Sequence, residues 1–148
     1  AALNASGDDL ARIERAFEGM QETADAASQR LAHAEHDVAF HDAIYRASHN
    51  LVWRQMGLLL RPSIVALIQR SQRHAGSSTD GHMDDAADGH ARGLGDSLER
   101  HRQLLEAIRL RQPDQARHAT ELLLERTARD LDKTLPASGI TTPASRHL

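Results

Sequence analysis

The sequence predicts an all-α protein, and three observations carry that prediction. Apolar residues recur at three- and four-residue spacing through most of the 148-residue chain. No stretch alternates at the period of a strand over a useful length. Glycine, proline and small polar residues gather between the periodic stretches instead of interrupting them. The length suits one domain. Hydrophobic residues make up 40% of the chain, enough for one core, but aromatic residues only 3%, so Leu, Ile and Ala have to fill it.

Taken in order, Ser6 caps a first helix, with Asp9 three residues on in a capping-box-like arrangement. Leu10, Ile13, Phe17 and Met20 give it one apolar stripe. It is expected to fade near residues 24–27, where a second helix begins and runs through Asp37 and His41 to about Ser48. Asn50 stands at a natural break and is expected to cap a third helix, from about Leu51 to Arg73. Met56, Leu59, Leu60, Ile64, Leu67 and Ile68 give that helix a broad apolar surface, and Pro62 is expected to kink or split it. Residues 75–95 are rich in Gly, Ser and Asp and lack an apolar stripe, which predicts a long mobile loop. A fourth helix follows from Asp96 or Ser97, with Leu98, His101, Leu105 and Ile108 on one face and Leu104 beside them. The fifth starts at Pro113, a favoured first helical position. Its inner face is read as Ala116, Ala119, Thr120, Leu123, Thr127 and Leu131. Pro136 and Gly139 end it, leaving a domain over 1–135 and a flexible tail over 136–148.

Composition excludes several functions. A formal net charge of −3 argues against a broad cationic face that would hold DNA. With no cysteine there is no disulfide, no Cys-based zinc site and no thiol nucleophile. No apolar run approaches the ~18–20 residues that span a bilayer, and no signal-peptide pattern opens the chain. The expected compartment is the cytoplasm, with no membrane partner. The chain begins with Ala, as expected of a piece processed or excised from something longer.

Asp37 and His41 lie four residues apart, hence on one helix face, and can converge on one small target such as a metal ion. Ile44 and Ser48 continue that face, and Phe40 and Ala47 flank it. An unpaired charge in such surroundings is expensive, so either another helix supplies a partner or the face is solvated. His101 sits on the apolar side of its own helix. Aspartate and neutral imidazole together suit zinc, nickel or manganese. His33 extends the row by one more turn. However, at ~1.5 Å rise per residue His33 and His41 start roughly 12 Å apart, against metal bonds of about 2 Å. His33 is therefore expected at the surface or as an outer neighbour. Of the ten histidines, His74, His82, His90 and His147 fall in the loop or tail and read as solvated, and His36, His49 and His118 lie off the Asp37 face.

The pattern Asp37-x-x-Phe40-His41-x-x-Ile44-x-x-Ala47-Ser48-x-Asn50 resembles the signature of the FCD domain, the C-terminal sensor domain of the FadR subfamily of GntR-type transcription regulators. His101-x-x-Leu104-Leu105-x-Ala107-Ile108 resembles the family's next motif, and Ala116 and Ala119 fit the helix that follows. The likeness runs from roughly Ser6 to Leu135, with the motifs in the right order. It implies an antiparallel helical bundle that binds a small organic-acid or sugar-acid effector in a central cavity. Many members hold a divalent metal there with one Asp and three His. Carried across, Asp37, His41 and His101 match three ligands. The fourth position, 22 residues after His101, is Leu123. Sliding the register reaches Glu121 or Glu125. Three arrangements stay open. A metal is held by three protein ligands and water; or the metal is lost and the histidines bind an anionic effector directly; or a loop histidine such as His90 completes the set.

An anionic effector also calls for a guanidinium. Of Arg54, Arg61 and Arg70 on the third helix, Arg61 is the choice, since it follows Leu58-Leu59-Leu60 and precedes Pro62. The effector-binding set is thus Arg61, Asp37, His41 and His101, with no catalytic residues. The resemblance further implies a homodimer. It also implies an N-terminal winged-helix domain, and the residues before Ser6 leave no room for one, so DNA is expected to be reached only through a domain outside this chain. The competing reading is a metal-dependent helical-bundle hydrolase, with Glu106 and Glu121 as candidate bases. A purely structural dimer leaves Asp37, His41 and His101 unexplained.

Overall fold

The computed structural model describes the backbone of residues 1–24, 27–74 and 83–134, and the side chains of 1–24, 28–62, 65–66 and 94–129. Among these residues five α-helices appear and no strand: α1 (Gly7–Glu22), α2 (Arg30–Ala47), α3 (Leu51–His74), α4 (Met83–Arg109) and α5 (Pro113–Thr134), with a short 3-10 turn at Ala27–Gln29 before α2. The all-α class and the bundle expected from the sequence are what the chain adopts.

Local chemistry explains where the helices start and stop. The capping box at the head of α1 is complete. Ser6 Oγ accepts from the Asp9 amide at 3.2 Å, and Asp9 Oδ2 accepts from the Ser6 amide at 3.0 Å and from the Ser6 hydroxyl at 2.6 Å. Asp8 and Asp9 also favour the positive end of the helix dipole. At the other end, the Thr23 hydroxyl donates back to the Gly19 carbonyl at 2.6 Å. Asn50 Oδ1 accepts from the Val52 amide at 2.9 Å and so caps α3. Between α4 and α5, Arg111 (φ 58°) takes a left-handed conformation. Its amide reaches the Ile108 carbonyl at 3.1 Å, and that of Gln112 reaches the Ala107 carbonyl at 2.9 Å, which is the Schellman pattern.

The two short turns make α2–α3 and α4–α5 antiparallel neighbours. α1 packs on α2 and, less extensively, on α4, while α3 leans on α2 and thinly on α5. Ile13, Phe17 and Met20 of α1 meet Phe40, Ala43 and Ala47 of α2, and Leu104, Leu105 and Ile108 of α4, with Ala116, Ala119 and Leu123 of α5 completing the core. α1 and α2 cross at Gly19, where a Cβ would run into the His36 ring. α3 seats itself through buried Gly57, where a Cβ would stand 2.7 Å from Tyr45 Cδ2. Its apolar side chains Leu51, Val52, Met56, Leu58 and Leu59 remain exposed.

Four expectations are corrected in whole or in part. α4 begins at Met83, so residues 83–95 are helix and not loop; residues 75–82 lie outside the described residues. The three glycines of that stretch cost helix propensity, about 1 kcal/mol each, but do not forbid a helix. Asp84 and Asp85 at its head and Ala86 and Ala87 behind them favour one. α3 runs through Pro62 as one helix and is not split there. Thr120 and Thr127 are exposed, not inward, and their hydroxyls bond the carbonyls four residues back, Ala116 at 2.8 Å and Leu123 at 3.0 Å. His33 is buried and not at the surface. Leu131 and the tail over 136–148 carry no described side chains.

Asp9 is 5% exposed. The Ser6 hydroxyl and amide, with His49 adding to them against burial, bring its carboxyl down to about 2. A carboxyl depressed in the folded state stabilises above its unfolded value of 3.8, and that stability is lost as pH falls through about 2. Asp9→Asn should therefore cost about 1 kcal/mol in denaturant melts at neutral pH. The gap to the wild type should close below pH 3.8. A gap unchanged by acid would show that the charge is not what matters.

Candidate metal centre

α2 presents Asp37 and His41 on one face, one turn apart, and α4 brings His101 against them. Asp37 Oδ1 lies 3.2 Å from His41 Nε2 and 3.4 Å from His101 Nε2, and the two ring nitrogens are 3.3 Å apart. The α2 and α4 backbones do not pack directly among the described residues, so these side chains bridge the helices. Phe40, fully buried, backs both rings, with centroids 5.6 Å from His41 and 5.2 Å from His101. His101 is 3% exposed.

Protonation follows from the neighbours. His101 Nδ1 lies 2.8 Å from the Ser97 carbonyl. A carbonyl only accepts, so Nδ1 carries the hydrogen, and in the neutral ring Nε2 bears the lone pair. That lone pair points at Asp37 Oδ1, itself buried and without a hydrogen-bond partner. Burial alone would raise the Asp37 carboxyl. Hydrogen bonds and positive charge from the His101 and His41 rings outweigh it and hold the group well below the usual carboxylate range when a ring carries a second proton; without that proton the His101 ring offers a lone pair instead. A charged, buried oxygen with no donor is costly to leave unanswered. The cluster calls for positive charge at its centre, from a proton on a ring nitrogen or from a metal ion.

The geometry has room for an ion. A tetrahedral centre with bonds of about 2.0–2.1 Å separates its ligand atoms by about 3.3 Å. The edges of this triangle are 3.2, 3.3 and 3.4 Å. The Ser97 carbonyl would orient the His101 ring if that ring held an ion. One aspartate and two imidazoles fit zinc, nickel or manganese by donor type.

No fourth His, Cys, Asp or Glu joins the triangle among the described residues. Leu123 is buried in the hydrocarbon core. Glu121 and Glu125, the alternatives from a shifted register, are exposed and face Arg117 at 3.6 Å and Arg129 at 3.3 Å. The side chain of His90 lies outside the described residues. Arg61 is exposed on α3, and the ion pairs of the site run only between Asp37, His41 and His101 among the described residues.

His33, one turn before Asp37, has its Nδ1 3.0 Å from the Met20 carbonyl, to which it donates. Burial lowers its pKa, its bond to Met20 tethers α1 to α2, and it does not belong to the group that could hold an ion. Sequence reasoning missed this role, as it missed His49, whose Nε2 lies 2.7 Å from Asp9 Oδ2. Both depend on contacts between distant segments that helical spacing does not encode.

The family model for the FCD domain matches residues 1–126. The chain belongs to the FCD domain family. FCD domains are the effector-binding domains of GntR-family regulators, and the helical class and order described above agree with that membership. A comparison with curated proteins gives no match. No helix among the described residues of this FCD domain is long and apolar enough to cross a membrane.

Elemental analysis of the purified chain should find a stoichiometric divalent metal, or take one up from zinc, nickel or manganese chloride. At a free metal concentration of about 100 Kd the ion should add ~2.7 kcal/mol, a rise in Tm of roughly 5–10 °C that chelator reverses. Asp37→Ala and His101→Ala should each abolish the shift. A chain that takes up no metal and melts unchanged would leave protons, not an ion, holding the cluster together.

Proposed function

We propose that this chain is the ligand-sensing and dimerisation domain of a GntR-family regulator of the FadR subfamily. It binds a small organic-acid effector through a divalent metal held by Asp37, His41 and His101. The triangle of three donor atoms at tetrahedral spacing carries this reading. Three protein ligands leave a coordination position open. One aspartate against a divalent ion leaves a net positive centre, and a carboxylate answers both needs at once. The residues of the chain position the effector: the Ser97 carbonyl fixes the His101 ring, and Phe40 keeps water from the apolar side. In such a regulator DNA is reached through a separate DNA-binding domain, and the working compartment is the cytoplasm.

The hydrolase reading fares worse. Metal-assisted hydrolysis needs a base beside the attacking water. Glu106 faces Arg109 at 3.8 Å and Glu121 faces Arg117 at 3.6 Å, neither within the triangle.

The exposed face of α3 supports a homodimer. Val52 and Leu59 are 68% and 72% exposed, and with Met56 they repeat at four- and three-residue spacing. Leu51, Leu58 and Leu60 are exposed as well, and exposed apolar surface of this kind is what a second copy would cover. Two copies paired about a twofold axis along α3 would cover it.

Calorimetry with small hydroxy- and dicarboxylates should show saturable binding that requires the metal, disappears in His101→Ala and proceeds without turnover. Consumption of the acid, or binding indifferent to His101, would sink the sensor reading. Sedimentation should find a dimer that the double substitution Val52→Glu, Leu59→Glu converts to a monomer of unchanged helicity. A dimer that survives those charges pairs through another face.

A further inference from the structure

Among the described residues, only His49 (φ 52°) and Arg111 (φ 58°) are non-glycine residues in the left-handed conformation. Glycine would take either position without steric cost. Each stands in the turn directly after a helix of the candidate metal centre, His49 after α2 and Arg111 after α4. Their side chains reach back to the same short segment at the head of α1. Arg111 Nη1 donates to the Leu3 carbonyl at 3.1 Å and Nη2 to the Ala5 carbonyl at 2.7 Å. His49 Nε2 lies 2.7 Å from Asp9 Oδ2. Asn4 Nδ2 adds a bond to the Ser48 carbonyl at 3.0 Å. Ala2 and Ala5 are buried beneath these contacts.

The placement turns the segment into a reporter of helix position. Among the described residues the α2 and α4 backbones do not pack on each other, and the side chains of Asp37, His41 and His101 span the space between them. From His41 to Ser48 and from His101 to Arg109 each helix runs on for about 10–12 Å. Over two turns a packed helix moves as a rod, so whatever sets the distance across the triangle also sets the distance between the two turns.

We propose that His49 and Arg111 are a two-point latch. It ties residues 3–9 to the ends of α2 and α4, so that a ligand fixing those helices at the Asp37–His41–His101 cluster orders the segment leading into α1. Both are positioning residues: they touch no ligand and act through the helices that do. The proposal rests on the cluster being the ligand site, and it places the output of the sensor at the N-terminal side of the domain. By linkage the effect is reciprocal, so loosening the latch weakens metal binding by the same factor.

Hydrogen exchange of the whole chain tests this, because the amides of Asn4, Ala5, Ser6, Asp9 and Leu10 are all bonded within the segment. Arg111→Gly removes the guanidinium while suiting the turn, and Arg111→Lys keeps the charge but not the two-carbonyl fork. In the wild type, saturating zinc chloride alone should slow exchange of these amides by about fivefold or more. In metal-free Arg111→Gly they should exchange faster than in the wild type, with the α2 and α4 amides unchanged. The response to zinc should be lost and the zinc Kd weakened correspondingly, and Arg111→Lys should fall between. Zinc that binds and protects the segment equally in Arg111→Gly overturns the latch, as does wild-type exchange in that variant without metal. Calorimetry on the same samples separates the two readings. Absence of zinc binding counts against the metal centre, and the metal-free comparison then decides the latch.

Discussion

One buried carboxylate sets the terms for the bundle. Asp37 is carried on α2 to a place where burial resists its charge, and only the rings of His41 and His101 make that charge tolerable. His41 comes at no topological cost, being one turn along the same helix. His101 comes from α4, whose backbone does not touch α2 among the described residues. The electrostatic need of one side chain is thus met across a gap that ordinary helix packing leaves open. A buried charge that loses a partner costs several kcal/mol, so the relative placement of α2 and α4 cannot drift far without penalty.

Asp9 is buried as well, and comparing the two acids separates structural from functional burial. Asp9 has its acceptors filled: Ser6 supplies two donors, His49 a ring nitrogen, and Arg12 Nη1 donates to Oδ1 at 3.0 Å. Nothing further is needed there, and the arrangement fixes the head of α1. Asp37 Oδ1 has two ring nitrogens near it and no hydrogen bond. A neutral His101 ring turns a lone pair toward it where a donor would be expected. The first pattern holds a helix in place; the second has room for a proton or a cation.

What could be read from the sequence was whatever depends on neighbours in the chain. The Ser6–Asp9 box, the Asn50 cap, the start at Pro113 and the apolar stripe Ile13, Phe17, Met20 are all set within a few residues. The spacing of Asp37 and His41 is a helical fact, the apolar stripe of the fourth helix already placed His101 inward, and the likeness to the FCD pattern strengthened the grouping of the three. The failures lie where local and tertiary forces disagree. The glycines of residues 83–95 weaken a helix without preventing one. Thr120 and Thr127 satisfy their hydroxyls on their own backbone and so need no inward place. His33 looks polar along the chain but donates to the Met20 carbonyl of another helix. His49 and Arg111 carry no local signal at all, since their partners lie 40 residues and more than 100 residues away in sequence.

The leucine at position 123 then has a consequence for the proposed sensor. A set of one aspartate and three histidines would leave an ion well supplied without its effector. With Leu123 turned into hydrocarbon, an ion held there would keep three protein ligands, and its remaining positions would fall to water or to an incoming carboxylate. Metal and effector would then strengthen each other's binding, because each completes what the other lacks, and the coupling is the same in either direction. A centre built this way responds to the two together more steeply than to either alone. Since its three residues come from two helices whose backbones do not pack together among the described residues, that response would be one of helix position.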